Sequence, residues 1–376
     1  MSKFTTSMMI GGVVLSALSA NAQAAITVLD KNPQSNSLLA PLSLTVGGSI
    51  RPEWSFNNNG KGDARKGHDG GSRFKFGADY KLDDHTSFIG YYELGVNMAH
   101  LLGMDGRYPE GSNIKNKRQL YAGVKDDRFG TLTYGQQYGV YYSVIGIKSD
   151  VWDNDGLASG DSMGINPSYD GGGRAKNSIK YTNDFGPVTL TANYLLPQSE
   201  LPDGSGLNYR RTNGGGLGLD YKITKDLTLS GAYSLTDAYM KDAGNNEKEY
   251  HQQLSGTALT WTPNNWYLVT TASYYKDFIP SQHTTLSRYF AGSGYGLEAF
   301  GGYTFNIDKH YLKSIQPYVA VDSLQLKGQD DYHANHTYVG VGTTIGYGLS
   351  VYVERTFTAS SDKQPDQTFV TVFYDF

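Results

Sequence analysis

Cysteine is absent from this 376-residue chain, so no disulfide framework staples it. That excludes the small, bridge-dense secreted folds. Long apolar runs are equally scarce: beyond Ala24 nothing is apolar enough to cross a bilayer as a helix, and the mean hydropathy is −0.45. A helical membrane protein is thereby excluded. A membrane β-barrel is not, because strands that alternate lipid-facing and water-facing residues average out as polar. The formal net charge is only −4, with no aromatic–basic module, so nothing draws the chain toward nucleic acid. Catalytic signatures are missing too, with neither a Gly-x-Ser-x-Gly elbow nor a His-Glu-x-x-His pattern. The histidines are scattered, and the nearest pair, His333 and His336, has no third ligand type marked beside it. Asp153-Asn154-Asp155-Gly156 starts like a calcium loop but lacks the glutamate at the twelfth position. No enzymatic activity, metal site or cofactor is expected.

What the chain has in quantity is tyrosine and glycine, 30 and 46 residues. Tyrosine suits the aromatic girdles of a membrane barrel, and glycine suits turns and close strand contacts. Residues 1–24 read as a secretory signal: Lys3 near the start, an apolar stretch Met8–Leu18, then Ala22-Gln23-Ala24 as a small-x-small cleavage site. Residues 25–376 are expected to form a single domain.

From Leu42 onward, segments of alternating polarity follow one another. Thr86–Met98 is representative: Phe88, Tyr92, Leu94 and Val96 share one face and Glu93 takes the other. Counting the segments gives about sixteen strands. Short turns such as Lys81–His85, Ile223–Asp226 and Thr262–Asn265 alternate with long polar connections, the asymmetry expected of a transmembrane barrel with an even strand number. The last segment, Gln367–Phe376, is an aromatic strand whose unpaired edge is a hazard in water and impossible in lipid unless the sheet closes on itself. The fold class expected is therefore all-β, a 16-stranded antiparallel transmembrane β-barrel closed at Phe376. The rival reading is a secreted or surface β-rich binding protein, weakened by the missing disulfides and the uncovered terminal strand.

The longest connection, about residues 136–174, carries Val140, Tyr142, Val144, Ile145, Ile147, Trp152 and Leu157, too much apolar surface to leave in water. It is expected to pack on the inner wall and narrow the lumen as an inward-folded third loop. It also carries Asp150, Asp153, Asp155 and Asp161.

Several places in the chain resemble the Gram-negative general porins, the trimeric diffusion channels of the outer membrane. The closest stretch is Arg118-Gln119-Leu120-Tyr121-Ala122-Gly123-Val124-Lys125 leading through Phe129-Gly130-Thr131-Leu132 into Tyr134-Gly135-Gln136-Gln137-Tyr138-Gly139-Val140. Gly71-Ser72-Arg73-Phe74-Lys75-Phe76-Gly77 is similar to the family's second strand, and Ala22-Gln23-Ala24 and Tyr374-Asp375-Phe376 fit its two ends. The resemblance implies a pore constriction with a basic side, Arg73, Arg118 and Arg174, facing an acidic third loop. The family's first-strand basic residue falls near Gly48, with Arg51 as a replacement three places on. Arg118 is in phase with Leu120, Ala122 and Val124, so an inward position requires it to lie above the regular ladder or across a bulge. On the acidic side the resemblance implies Asp150 and Glu93. The family's Pro-Glu-Phe-Gly-Gly-Asp signature is replaced, its glutamate position being Asn154, which leaves Asp153 or Asp155 to face the pore.

The function implied is a water-filled channel for passive diffusion of ions and small hydrophilic solutes, weakly cation-selective from the net acidity of the loop. A sugar- or oligosaccharide-selective channel is the alternative within the class. The partners implied are outer-membrane lipid, lipopolysaccharide and two further copies of the chain in a homotrimer.

Overall fold

A computed structural model describes residues 25–32, 37–57, 67–104, 115–154, 156, 158, 171–202, 208–241, 246–278, 292–327 and 331–376. The expected signal segment 1–24 lies outside these residues, as do Asp155 and Asp161. Sixteen wall strands are described: β1 (Leu42–Ile50, continued by Pro52–Asn57), β2 (Arg73–Lys81), β3 (Thr86–Val96), β4 (Lys115–Asp126), β5 (Gly130–Tyr138) and β6 (Arg174–Phe185). They continue as β7 (Val188–Leu195, continued by Gln198–Pro202), β8 (Asn208–Lys222), β9 (Leu227–Lys241), β10 (Glu247–Trp261) and β11 (Trp266–Phe278). The wall is completed by β12 (Gly292–Tyr303), β13 (Ser314–Lys327), β14 (Tyr332–Thr344), β15 (Leu349–Ser360) and β16 (Gln367–Asp375).

Each strand pairs antiparallel with its neighbour in the chain, and β16 pairs with both β15 and β1, so the sheet is a closed barrel. Closure satisfies the backbone donors and acceptors that lipid cannot hydrate. The side chains divide accordingly. Phe76, Phe88, Leu132 and Val319 point outward and are 41%, 51%, 52% and 50% exposed to a solvent probe, the surface that acyl chains would cover. The opposite phase carries Gln119, Thr133, Gln137, Ser273, Glu298 and Gln316, all buried toward the lumen side. Exposed Trp261, Trp266, Phe305, Tyr311 and Tyr347 gather at the short-turn end as one aromatic girdle.

The seam depends on a close approach. Gly48 and Phe376 exchange two backbone hydrogen bonds, of 2.8 and 3.1 Å. The Phe376 ring lies edge-on to Phe74 at 5.9 Å and stacks on Tyr374 at the same distance. A Cβ at position 48 would stand 2.6 Å from the Arg73 carbonyl oxygen and 2.7 Å from the Phe376 ring. No cationic side chain can occupy this place, which accounts for the glycine found where the porin pattern has a basic residue. Below Ser49, where β16 has ended, Ile26–Leu29 takes over the open edge of β1, with Ile26 opposite Val46 and Thr27 opposite Thr45. This short strand precedes Leu42, where the alternation of polarity along the wall begins.

At the long-loop end the strands run further than their alternation. The pattern ends at Gly135, Leu235 and Tyr275, whereas the ladders continue to Tyr138, Lys241 and Phe278. There the inner face is packed, with Thr236, Ala238 and Met240 buried, while the outer face has left the lipid, so pairing persists after the apolar–polar code has stopped. Replacing Gly48 with valine should obstruct the seam. We expect a lower urea midpoint for the refolded barrel, equivalent to about 1–3 kcal/mol, followed by the loss of the heat-modifiable folded band on gels.

The inner wall and the loop that crosses it

The basic residues arise on adjacent strands. Arg73 and Lys75 are two apart on β2 and share its inward face, Arg73 opposite Ser49 on β1 and Lys75 opposite Glu93 on β3. Arg51 occupies the kink between the two halves of β1. Its Nε donates to Ser49 Oγ at 2.7 Å and its guanidinium lies 4.3 Å from the Phe373 ring centre. Arg118 reaches the lumen through a bulge. Glu93 faces Gln119 and Leu94 faces Lys117, so Arg118 has no place in the ladder and swings inward. Its Nε then donates to Glu93 Oε1 at 2.5 Å, while the Tyr91 hydroxyl and Gln119 bind the other oxygen at 3.0 and 3.4 Å. Arg174, at the start of β6, rests over Tyr138 at 5.2 Å.

The loop leaves β5 through a short π-helical turn, Tyr142–Gly146, and packs against the inward face of the wall. Val140, Val144 and Ile145 are fully buried against Leu254, Ala258 and Leu324, each contributing about 1.5–3 kcal/mol of burial. Lys180 Nζ fixes the loop's root, donating to the Tyr138 carbonyl at 3.0 Å and to Ser143 Oγ at 2.7 Å. Lys148 forms an ion pair with Asp220 of β8 at 2.9 Å, and its carbonyl accepts from the Tyr267 hydroxyl at 2.8 Å. Trp152 stacks on Phe300 of β12 at 6.0 Å and leans on Tyr338 of β14 at 5.4 Å. The Ala158 amide donates to Glu298 at 2.9 Å, and Asn154 Nδ2 donates to Glu354 of β15 at 3.0 Å. The segment thus lies against the β8–β16 side, and its Asp153 end reaches the seam beside Arg51 and Glu53 of β1.

The expected acidic residues do not all line the lumen. The Asp150 carboxylate accepts from the Tyr142 hydroxyl within the loop itself. Asp153, expected as a residue that turns to the pore, turns to the wall: Thr371 Oγ1 donates to its Oδ2 at 2.6 Å, and its Oδ1 is buried. The neighbouring Asn154–Glu354 bond holds the chain against β15, which brings the adjacent carboxylate within reach of Thr371 on β16. Burial raises the Asp153 carboxyl to about 7, with Glu53 and Glu354 adding to the shift and the Thr371 bond and Arg51 opposing it. Glu93 faces inward but is held by Arg118.

A family model described as Gram-negative porin matches residues 11–376. The chain belongs to the Gram-negative porin family. It is an outer-membrane channel for passive diffusion. Among relatives, this porin is 25% identical over 320 residues to outer membrane protein YedS of Escherichia coli, covering 80% of this chain and 83% of that protein. It is 24% identical to outer membrane porin C 2 of Shigella flexneri over 97% of this chain and 98% of the other. Its barrel is similar to that of Salmonella typhi OmpF in complex with daunomycin, with a TM-score of 0.68, 17% identity, and coverage of 89% and 98%. It also resembles an anion-selective porin from Comamonas acidovorans, with a TM-score of 0.57, 15% identity, and coverage of 89% and 100%.

The wall residues that hold the porin's loop, Glu298, Glu354 and Thr371, escape the sequence reading. The signal was present: in Leu297-Glu298-Ala299 and Val353-Glu354-Arg355 a carboxylate occupies the inward phase of its strand. A raised Asp153 carboxyl has a definite consequence. The docked loop favours the neutral acid, so docking is firmest below the ordinary carboxylate range near pH 4 and weakens as pH rises from there to about 7, where the docked carboxylate itself ionises beside Glu53 and Glu354. Open-channel current noise should therefore increase with pH across this range. Asp153→Asn should flatten that dependence.

Proposed function

We propose that passage through this porin is governed where the docked loop faces the open wall, with Arg51, Arg73 and Arg118 of β1–β4 and Arg174 of β6 on the wall, Glu93 among them, and Asp150 on the loop. The observation that carries the reading is the loop's attachment to the wall through Glu298, Glu354 and Thr371, which leaves the opposite wall as the free boundary of the lumen. Opposed charges orient water, and apolar solutes that cannot replace that hydration are slowed. No covalent step is involved, and the protein acts as a pore and not as an enzyme. The sugar-selective alternative needs aromatic side chains along the open lumen. Tyr267, Tyr275 and Tyr338 instead lie under the loop, and Tyr233, Tyr274 and Tyr295 face outward; the Tyr91–Tyr121 pair on the inward face of β3 and β4 is too short for a stacking track, so the general porin is favoured.

Three copies of the chain would associate through the outward face of β2–β4. Ala78 is opposite Gly90, and Gly90 is opposite Ala122, a row of minimal side chains across three strands beside the large apolar residues of the same wall. Two barrels can approach closely there. At the outer rim, Arg210 pairs with Glu247 at 2.9 Å and Lys327 with Asp331 at 3.0 Å, a mixed-charge collar suited to lipopolysaccharide headgroups.

In planar bilayers, refolded protein should give ohmic current steps that arrive in threes, and folded protein without conductance would end the channel reading. Gly90→Trp should convert the trimer band to monomer on native gels while single-barrel conductance persists; a trimer unaffected by it would move the interface elsewhere.

A further inference from the structure

One row of the inner wall carries almost no side chain. Gly218 of β8 stands opposite Ala232 of β9, Ala232 opposite Gly256 of β10, Gly256 opposite Ser273 of β11, and Ser273 opposite Gly296 of β12. Nothing larger than serine occupies these five strands at this level. The row is bounded by Thr191 of β7 and Leu324 of β13. The inward row nearer the short turns carries Asp220, Thr271 and Glu298, and the row nearer the long loops carries Leu254 and Tyr275. Glycine inside a strand weakens it, so three in one row cost stability unless another part of the chain must come close. Here the loop comes close. A Cβ at Gly218 would stand 2.7 Å from Val144 Cγ2 and 3.0 Å from Val140 Cγ1, and one at Gly256 would stand 3.0 Å from Ile145 Cγ2. One at Gly296 would fall on the Ala158 carbonyl oxygen, the atom that accepts from the Tyr275 hydroxyl. Between these points the Tyr141 hydroxyl donates to Ser273 Oγ at 2.7 Å. The loop is therefore sunk into the wall along this row, deeper than larger side chains would allow.

We infer that this row is a seat whose depth sets the bore, with Gly218, Gly256 and Gly296 as positioning residues that determine the largest solute the channel passes. The inference deepens the reading of the docked loop as the boundary of passage and rests on it. A side chain added to the row has to displace something. The wall behind is a closed, hydrogen-bonded ring, so the loop yields and moves toward the lumen. Restoring ordinary carbon contacts of about 3.5–4.0 Å requires a shift on the order of 1 Å. In a water-filled passage such a shift acts on large solutes first, because they lose their clearance before a small ion does. The three glycines carry no charge and lie beneath the loop, so each acts only through it.

The test is the swelling of liposomes carrying the refolded full barrel, in glucose and in the disaccharide sucrose, with single-channel current in potassium chloride measured alongside. Gly256→Val should lower sucrose entry relative to glucose by about twofold or more while current and the folded gel band persist. Gly296→Ala, which meets loop backbone instead of a methyl group, should lower it at least as far. Adding Ile145→Ala to Gly256→Val removes the two loop carbons nearest the new side chain and should return the ratio to that of the unaltered barrel. A merely structural role predicts the opposite, since a second truncation would loosen the packing further. A ratio that Gly256→Val leaves unchanged or raises overturns the inference, as does failure of Ile145→Ala to restore it. An unaltered barrel that conducts but admits sucrose as readily as glucose overturns the reading of the loop as the boundary as well. Folded protein without conductance ends the channel reading itself.

Discussion

Every backbone donor and acceptor that meets lipid must find its partner inside the protein, and the rest of the structure follows from that requirement. It forces the sheet to close, and closure fixes an even ring in which each strand has one face for lipid and one for water. The seam between β1 and β16 is the most demanding part, because there the ladder is completed by residues from opposite ends of the wall. Gly48 gives up its side chain so that the Phe376 ring can pack against it, and Ile26–Leu29 continues the pairing where β16 has stopped. Small residues are therefore found where backbone must approach backbone, and large apolar ones where only acyl chains lie.

Once the wall is closed, the lumen becomes the only place where charge is inexpensive, and the distribution of polar residues reflects this. Carboxylates on β12 and β15 bind backbone and amide groups of the loop, while the arginines and lysine of β1–β4 remain on the other side. The two halves of the wall thus do different work. One half anchors a long segment through buried apolar side chains, an ion pair and hydrogen bonds to Glu298, Glu354 and Thr371. The other half carries Arg51, Arg73, Lys75 and Arg118, with Glu93 bound to Arg118 among them.

Much of the fold is legible in the sequence because lipid imposes a period of two on each strand. Phe88, Tyr92 and Glu93 declare their faces without help from any other residue. The limits are physical as well. A bulge cannot be read from alternation, since Arg118 has the phase of Leu120 and Ala122 and is turned inward only by the register slip opposite Glu93 and Leu94. Strand ends above the lipid carry no amphipathic code, so β9 and β11 run past their apparent limits. The orientation of Asp153 depends on Asn154 finding Glu354, a residue two hundred positions away, and no local pattern contains that partner. The loop's tendency to bury itself was visible in Val140, Val144 and Trp152; the direction in which its acids point was not.

The loop's attachments also bear on the shape of the barrel. A large single-layer ring is easily flattened, because small hinge-like rotations between neighbouring strands change its cross-section without breaking the ladder. Lys148 ties the loop to β8, Trp152 ties it to β12 and β14, and Asp153 ties it to β16, so one covalent segment links wall positions far apart around the circumference. Such a cross-brace opposes ovalisation when the surrounding bilayer presses laterally. The bore is then held open mechanically by the same segment that narrows it.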